Sequence, residues 1–486
     1  MPAPFSKRID HFPPENSTSG SIAWADCPPE VLGATNLQCA SYSVPVNWDE
    51  PNGEHFNLGL VKLVAAPTNG TFEKIGTLFV NPGGPGGAAS QFVAALALGA
   101  IQSKFFLGSF DIVGLDPRGV GLSNQVQCDP EIYAERVSLF PQTDEELDKL
   151  KDKNRRLGES CLDMTGPVFA HLDTISTAKD HEAVRIALGN EPINFVGLSY
   201  GSQLGAQYAA LFPDNIRTLA LDGILLHSQS KATNLLIEAT SYDVVLSHFF
   251  TWAAANESSV LKGQDVELLW NDLLTNASTR PIPALSCNNT DCYSNVNDED
   301  IRTNAHSFLT FAKDIGLGNS WVNLASALYN ASQGDASALS TSFTDPTAYS
   351  FLAIGCLDWT HSASMTLSES LAQQTLGKEY APLTKGASQM WTLHHACLDW
   401  PVKVVNPPKK LDIKTNTTIL LTQSTADPST GLPWALGLLE EVENKVLVLR
   451  EGDGHTSLPL GGKTAEAIVE YLITGEVPKV GLVLPS

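Results

Sequence analysis

Three residues of this chain have the types and placing needed for covalent chemistry: Ser199, Asp427 and His455. A serine hydroxyl is a poor nucleophile until a neighbouring imidazole takes its proton. The imidazole in turn needs a carboxylate to hold its tautomer and stabilise the imidazolium. Ser199 lies in Gly197-Leu198-Ser199-Tyr200-Gly201, Asp427 opens D-P-S-T, and His455 lies in Gly454-His455-Thr456-Ser457. Each follows a short apolar run. Asp427 is preferred to Asp412 because it comes straight after its run. Asp453 stands too close to His455 to orient the ring from behind and is read as a loop or surface acid. His227, His361, His394 and His395 are assigned structural roles.

Strands and helices must bring these residues together. Ile193, Phe195 and Val196 read as the end of a buried strand, and Ser202–Leu211 is helix-compatible, with small Gly205, Ala206 and Ala209 spaced for close packing. Strand, sharp turn and helix together make a nucleophile elbow, in which the serine is held in a strained conformation that flanking glycines permit. A second landmark is Asn81-Pro82-Gly83-Gly84-Pro85-Gly86-Gly87-Ala88, fed by the apolar run Gly76–Val80. A loop this poor in side chains lets a backbone N–H approach a substrate oxygen. It lacks the lysine of a phosphate-binding loop. Asp116 and Arg118, after the run Ser109–Leu115, are expected to pair with each other and fix the neighbouring loop.

Further strands are expected at Leu58–Ala65, Arg217–Asp222, Thr418–Thr422 and Lys445–Leu449, with helices at 141–158, Ser176–Leu188 and Lys463–Ile473. Short apolar strands alternating with helices predict a mostly parallel α/β sheet. From 228 to 400 the rhythm turns helical, with Trp252, Trp270, Trp321, Trp359 and Trp391, which predicts an inserted cap with an aromatic core. The resulting division is an N-terminal extension at 1–57, a first core segment at 58–227, the cap at 228–400 and a second core segment at 401–486.

Composition narrows the function. The chain has 486 residues, of which 43% are hydrophobic and 17% charged, enough for a large core plus an insertion. A net charge of −23 argues against nucleic acid and anionic membrane surfaces. The longest apolar run, near Phe92–Ile101, is far short of the ~20 residues of a membrane-spanning helix. None of the eight cysteines stands in a zinc-type spacing. Sequence neighbours suggest Cys27–Cys39, Cys128–Cys161, Cys287–Cys292 and Cys356–Cys397, a connectivity that sequence alone does not fix. Seven N-x-S/T sequons begin at Asn16, Asn69, Asn256, Asn276, Asn288, Asn330 and Asn416. With an even cysteine number they favour a secretory route. Met1-Pro2-Ala3-Pro4 has no apolar signal segment, so a leader is expected to have been removed, with an intracellular location as the alternative.

Taken together, N-P-G-G-P-G-G-A at 81–88, D-P-R-G-V-G-L-S at 116–123, G-L-S-Y-G at 197–201, Asp427 in D-P-S-T and His455 in G-H-T-S resemble the tripeptidyl aminopeptidase group of α/β-hydrolases, related to prolyl iminopeptidases. A-I-G-C-L-D-W at 353–359, C-L-D-W-P at 397–401 and the N-terminal W-A-D-C and V-P-V-N-W-D-E-P segments resemble it too. The order Ser199, Asp427, His455 is that of an α/β-hydrolase. The resemblance implies acyl transfer: Ser199 attacks, His455 acts as base and then acid, and Asp427 orients it. It implies an oxyanion hole from the Tyr200 N–H and a glycine-loop N–H, Gly84. No metal or organic cofactor is implied. Family exopeptidases recognise a free N-terminus through acidic cap residues, and Asp358 is the candidate by position, with a buried structural role as its alternative. The substrate is expected to be a small peptide. An ester, lactone or amide of a small natural product is the alternative, and a silent binding protein on the same scaffold is a third reading.

Overall fold

The apolar runs named above become strands of one ten-stranded sheet in the computed structural model, which describes residues 22–27, 36–65, 74–99, 108–287, 291–313, 318–362 and 364–486. The strands are β1 (Ala25–Asp26), β2 (Leu37–Pro45), β3 (His55–Leu63), β4 (Gly76–Asn81), β5 (Phe110–Leu115), β6 (Ile193–Leu198), β7 (Ile216–Asp222), β10 (Ile419–Ala426), β11 (Lys445–Asp453) and β12 (Val483–Pro485). A separate two-stranded ribbon is formed by β8 (Ile282–Pro283) and β9 (Asn295–Val296). The order across the large sheet is β1-β2-β3-β5-β4-β6-β7-β10-β11-β12. From β5 to β12 every pairing is parallel, and β1 to β3 add an antiparallel edge.

Alternate residues of each strand supply opposite faces. Phe79, Val113, Phe195, Leu219 and Leu421 pack into one apolar cluster, while Leu78, Ile112, Val196, Ala220 and Leu420 pack into a second. Burial on both faces explains why these strands read as continuous apolar runs. Strand β2, next to the short edge strand β1, carries a weaker sequence pattern. Leu37–Pro45 falls within the expected N-terminal extension, yet it pairs with β3 along its whole length. Its polar residues Gln38, Ser41 and Ser43 are less buried than Leu37, Cys39 and Ala40, which is the mark of a half-covered antiparallel edge rather than a buried parallel strand.

Strands β7 and β10 are neighbours in the sheet, with Leu420 opposite Ala220, although nearly two hundred residues separate them. That excursion carries the helices Lys231–Ala255, Val266–Thr279, Asp298–Phe308, Trp321–Ser332, Pro346–Asp358, Leu367–Tyr380 and Gln389–Ala396. Phe249, Trp270 and Trp321 build a core of their own there, with Trp252 against it. Trp359 and Trp391 do otherwise: they join the cluster that covers the sheet. The end of the excursion is therefore packed as part of the sheet domain. The four disulfides join Cys27–Cys39, Cys128–Cys161, Cys287–Cys292 and Cys356–Cys397, the sequence-neighbour pairing.

Candidate active site

The turns after β4, β6, β10 and β11 open at the same edge of the sheet, the carboxyl end of its parallel strands, where ligands of open α/β sheets bind. Ser199 sits between β6 and the helix Tyr200–Leu211, with φ 57° and ψ −122°. A non-glycine residue in that region is strained and must be held by its surroundings. Here its N–H donates to Asp222 O at 2.9 Å, and its carbonyl accepts from Ser202 N at 2.8 Å and Ser202 Oγ at 2.5 Å. The flanking glycines are required by contact. A side chain on Gly197 would strike the Gly201 carbonyl, and one on Gly201 would lie 2.6 Å from Asn81 O. Ser199 itself is half-buried.

Asp427 and His455 meet. His455 Nδ1 lies 2.9 Å from both Asp427 Oδ1 and Oδ2. Asp427 also accepts N–H bonds from Ser429 at 2.9 Å and Thr430 at 2.8 Å, and a hydroxyl bond from Thr430 Oγ1 at 3.0 Å. Burial pushes its carboxyl up, but His455 and these donors outweigh burial and hold it below the usual aspartate value. For His455 burial works against the imidazolium, yet the charge and hydrogen bond of Asp427, with Asp222 and Glu238 behind it, raise the ring above the usual histidine value. A ring so held presents Nε2 as a proton acceptor. Gly223, the residue after the Asp222 that bonds Ser199, has φ +73°, and a side chain there would come within 3.3 Å of His455 Cε1. The serine and histidine turns are thus packed through residues 222 and 223.

The glycine loop closes over the serine. A Cβ on Gly83 would collide with Leu198 O and lie 2.9 Å from Ser199 Cβ and 3.0 Å from Tyr200 N. Gly83 N–H donates to Asn81 Oδ1 at 3.0 Å, whereas the Gly84 N–H has no acceptor among the described residues. Tyr200 is the first residue of its helix, so its N–H is one of the orphan donors of a helix start. Two free N–H groups beside the serine turn, at a helix N-terminus, form a setting for a developing oxyanion.

Asp358 does not reach this surface. It is 1% exposed, and its carboxylate accepts from Thr174 N at 3.0 Å, Asn406 Nδ2 at 3.0 Å, Gln203 Nε2 at 3.2 Å and the Thr174 hydroxyl. Burial raises it to about 7, with Asp173 adding to the effect. The Asp116–Arg118 pair is also corrected. Arg118 binds Asp180 at 2.7 Å through both Nε and Nη2, while Asp116 accepts from Ser90 N, Ser90 Oγ and Leu122 N, each at 2.8 Å. The two side chains leave the turn in different directions, so two separate buried anchors take the place of one pair. His227 and His361 bond backbone carbonyls, His394 bonds Asn234 Oδ1, and His395 bonds Trp391 O. Asp453 bonds His248 at 2.7 Å rather than His455.

Several residues that hold the site were not legible. Asp222 Oδ2 accepts from Ser457 N at 2.7 Å and Leu458 N at 2.8 Å. Arg450 donates to Gly454 O at 2.7 Å, Asp453 O at 3.0 Å and Thr456 O at 3.2 Å, so that it lies inside the His455 turn. The helical excursion adds two more ties: His455 N donates to Thr310 O at 2.7 Å, and His306 Nε2 donates to Pro428 O at 2.8 Å. The one available signal is the position of Asp222 at the end of β7. Glu238, on the helix Lys231–Ala255, is fully buried; its Oε2 accepts from Met390 N at 2.5 Å and its Oε1 has no hydrogen-bond partner among the described residues. Among the described residues no cluster suited to a metal ion occurs, and no helix is long and apolar enough to cross a membrane.

Comparison with known proteins agrees with this architecture. The family profile described as "alpha/beta hydrolase fold" matches residues 76–311, and that described as "TAP-like protein" matches 381–483. The tripeptidyl aminopeptidase of Streptomyces coelicolor is 30% identical over 269 residues, 54% of this chain and 49% of that protein. The chain thus spans about half the length of that relative. Serine protease Hip1 of Mycobacterium tuberculosis is 26% identical across 95% of this chain and 90% of its own. Carboxylesterase B of the same organism is 26% identical across 95% and 89%. With the sheet order, the elbow and both profiles in agreement, the chain belongs to the α/β-hydrolases with a TAP-like C-terminal region.

Proposed function

We propose that the protein is a serine hydrolase that cleaves residues or short peptides from a free N-terminus through an acyl-enzyme. Ser199 is the nucleophile. His455 takes its proton and returns it to the leaving amine, Asp427 orients His455, and the Tyr200 and Gly84 N–H groups receive the oxyanion. The observation that carries this reading is the pairing of His455 Nδ1 with both oxygens of Asp427 beside a serine held at positive φ. Relatives named as a tripeptidyl aminopeptidase and a serine protease support the peptide substrate.

A relative named as a carboxylesterase favours a second reading, hydrolysis of a small ester by the same residues. A panel of aminoacyl and tripeptidyl 4-nitroanilides, their N-acetylated forms and short-chain aryl esters separates the two. The peptidase reading expects amide turnover lost on N-acetylation. Ester turnover without amide turnover would sink it. The four disulfides, with Asn276, Asn330 and Asn416 exposed and Asn256 half-buried, support a secreted glycoprotein; Asn16, Asn69 and Asn288 lie outside the described residues. Treatment of protein from its native source with an N-glycosidase tests this, a loss of mass being expected.

A further inference from the structure

The helix Pro346–Asp358 belongs by sequence to the excursion, yet it touches the neighbourhood of both N–H donors. At its N-terminal half it lies against the glycine loop. A side chain on Gly86 would come within 2.8 Å of Thr347 O, 3.1 Å of Phe351 N and 3.2 Å of Ser350 Cβ. Ser350 Oγ donates to Gly119 O at 2.7 Å and accepts from Gln125 Nε2 at 2.7 Å, and Gln125 Nε2 also reaches Pro346 O at 3.1 Å. The loop after β5 therefore fixes this half of the helix where the glycine loop passes.

At its other end Asp358 lies under the elbow. The Thr174 hydroxyl donates to Asp358 Oδ2, so the 2.7 Å contact between Tyr200 Oη and Thr174 Oγ1 has the tyrosine as donor. Gln203, one turn along the same helix as Tyr200, also donates to Asp358. His227 Nε2 donates to the Asp358 carbonyl at 2.7 Å, Asn406 binds its carboxylate, and Cys356–Cys397 ties the helix to its neighbour. Tyr200, Thr174 and Asp358 are 2%, 0% and 1% exposed, so water does not compete for these bonds.

We infer that the helix Pro346–Asp358 is a brace for the oxyanion hole, with Thr174 and Asp358 as positioning residues for the Tyr200 N–H and Ser350 as the residue that seats the helix beside the glycine loop. A hole acts only when its donors are fixed before charge develops, so loosening one of them lowers the rate of bond formation and leaves ground-state binding alone. The inference rests on Ser199 being the nucleophile.

The test uses the full chain with a fluorophosphonate and with phenylboronic acid, both of which form tetrahedral serine adducts. Thr174→Val, Asp358→Asn and Tyr200→Phe are each expected to lower the maximal labelling rate about 10- to 100-fold with the half-saturating concentration unchanged, and to weaken boronate binding by a similar factor. The acid limb of the labelling rate, set by His455, should keep its midpoint, which a general loosening of the site would not preserve. Tyr200→Phe removes one hydroxyl and keeps the ring, so it decides the matter where Asp358→Asn does not fold. Folded variants that label and bind boronate within twofold of wild type overturn the inference, as does a loss confined to half-saturation. A wild-type chain that does not label at Ser199 overturns the underlying function instead.

Discussion

The backbone N–H of His455 donates to the carbonyl of Thr310 at 2.7 Å, so the histidine turn is tied to the helical excursion as well as to the sheet. With His306 on Pro428 and the helix Pro346–Asp358 under the elbow, residues of the excursion contact each turn of the candidate site. Side chains and carbonyls of the excursion thus help to set the geometry of these turns.

The first prediction concerns proton transfer. His455 accepts a proton only when neutral, so kcat/KM should rise with pH through a pKa above the usual histidine value. Asp427→Asn removes the main opposing charge and leaves burial, which lowers the ring pKa. The acid limb should move to lower pH while kcat falls by about 10⁴-fold. A pH–rate profile of the two proteins checks both; an unmoved limb contradicts the pairing.

A second prediction concerns the glycine loop. Gly83 has φ +89°, and a Cβ there meets Leu198 O, Ser199 Cβ and Tyr200 N, all backbone or rigid atoms. Gly83→Ala should lower kcat by at least about 100-fold, because a displacement of ~1 Å at reacting groups has that effect. Steady-state kinetics on a purified, folded variant gives the answer. Gly263→Ala, at an open position with φ +79°, should leave kcat unchanged and affect only stability.

The turn that carries His455 supplies the third. Asp222 accepts two backbone N–H groups of that turn, and burial raises its carboxyl against those bonds. Asp222→Ala removes Oδ2, the single oxygen that both N–H groups share, and leaves them without that acceptor. It should destabilise the fold by about 1–3 kcal/mol. Denaturant unfolding should show this together with a fall in kcat. Unchanged stability would mean the turn does not depend on Asp222.

The extent to which the site could be read from sequence follows from what each feature depends on. Ser199, Asp427 and His455 are each placed by a local pattern, an apolar strand and the turn that follows it, and all three fall at strand ends. Strand β2 lies within the expected N-terminal extension because its alternation with polar residues makes a weaker pattern than a run. The partners of Arg118, Asp222 and Asp358 lie 62, 235 and 184 residues away, and only sheet register and helix packing bring them together. Asp358 illustrates the difference: the resemblance offers it as a substrate contact and its neighbours Cys356 and Trp359 offer a buried role, and in the fold it lies beneath Tyr200 and Thr174, the buried alternative.

A fourth prediction is a pH dependence of stability. Burial raises Glu238 from 4.5 to about 8 and Asp358 from 3.8 to about 7. Each keeps a proton in the fold that the unfolded chain has lost, so its stabilisation is complete below the unfolded pKa and disappears as pH rises through the folded one. Buried His181, His227, His306 and His395, lowered to about 4, 4, 4 and 3, act the other way below 6.5, where the unfolded chain binds more protons. Above pH 6.5 the carboxyls dominate. Half-buried Lys153 and Lys231, lowered from 10.5 to about 8, act the other way near pH 8, so Tm should fall between pH 6.5 and about 7.5, with stability lost at up to roughly 1.4 kcal/mol per pH unit for each proton held. Glu238→Gln, neutral throughout, should flatten the fall; an unaltered slope would remove Glu238 from the account.

The central claim is that Ser199 is the residue that forms a covalent bond with substrate. Labelling the intact protein with a fluorophosphonate and locating the adduct by peptide mass spectrometry tests it most directly. One adduct per chain should appear on Ser199, disappear in Ser199→Ala and form far more slowly in His455→Ala. Undiminished labelling of folded Ser199→Ala, or an adduct on another residue, would contradict it.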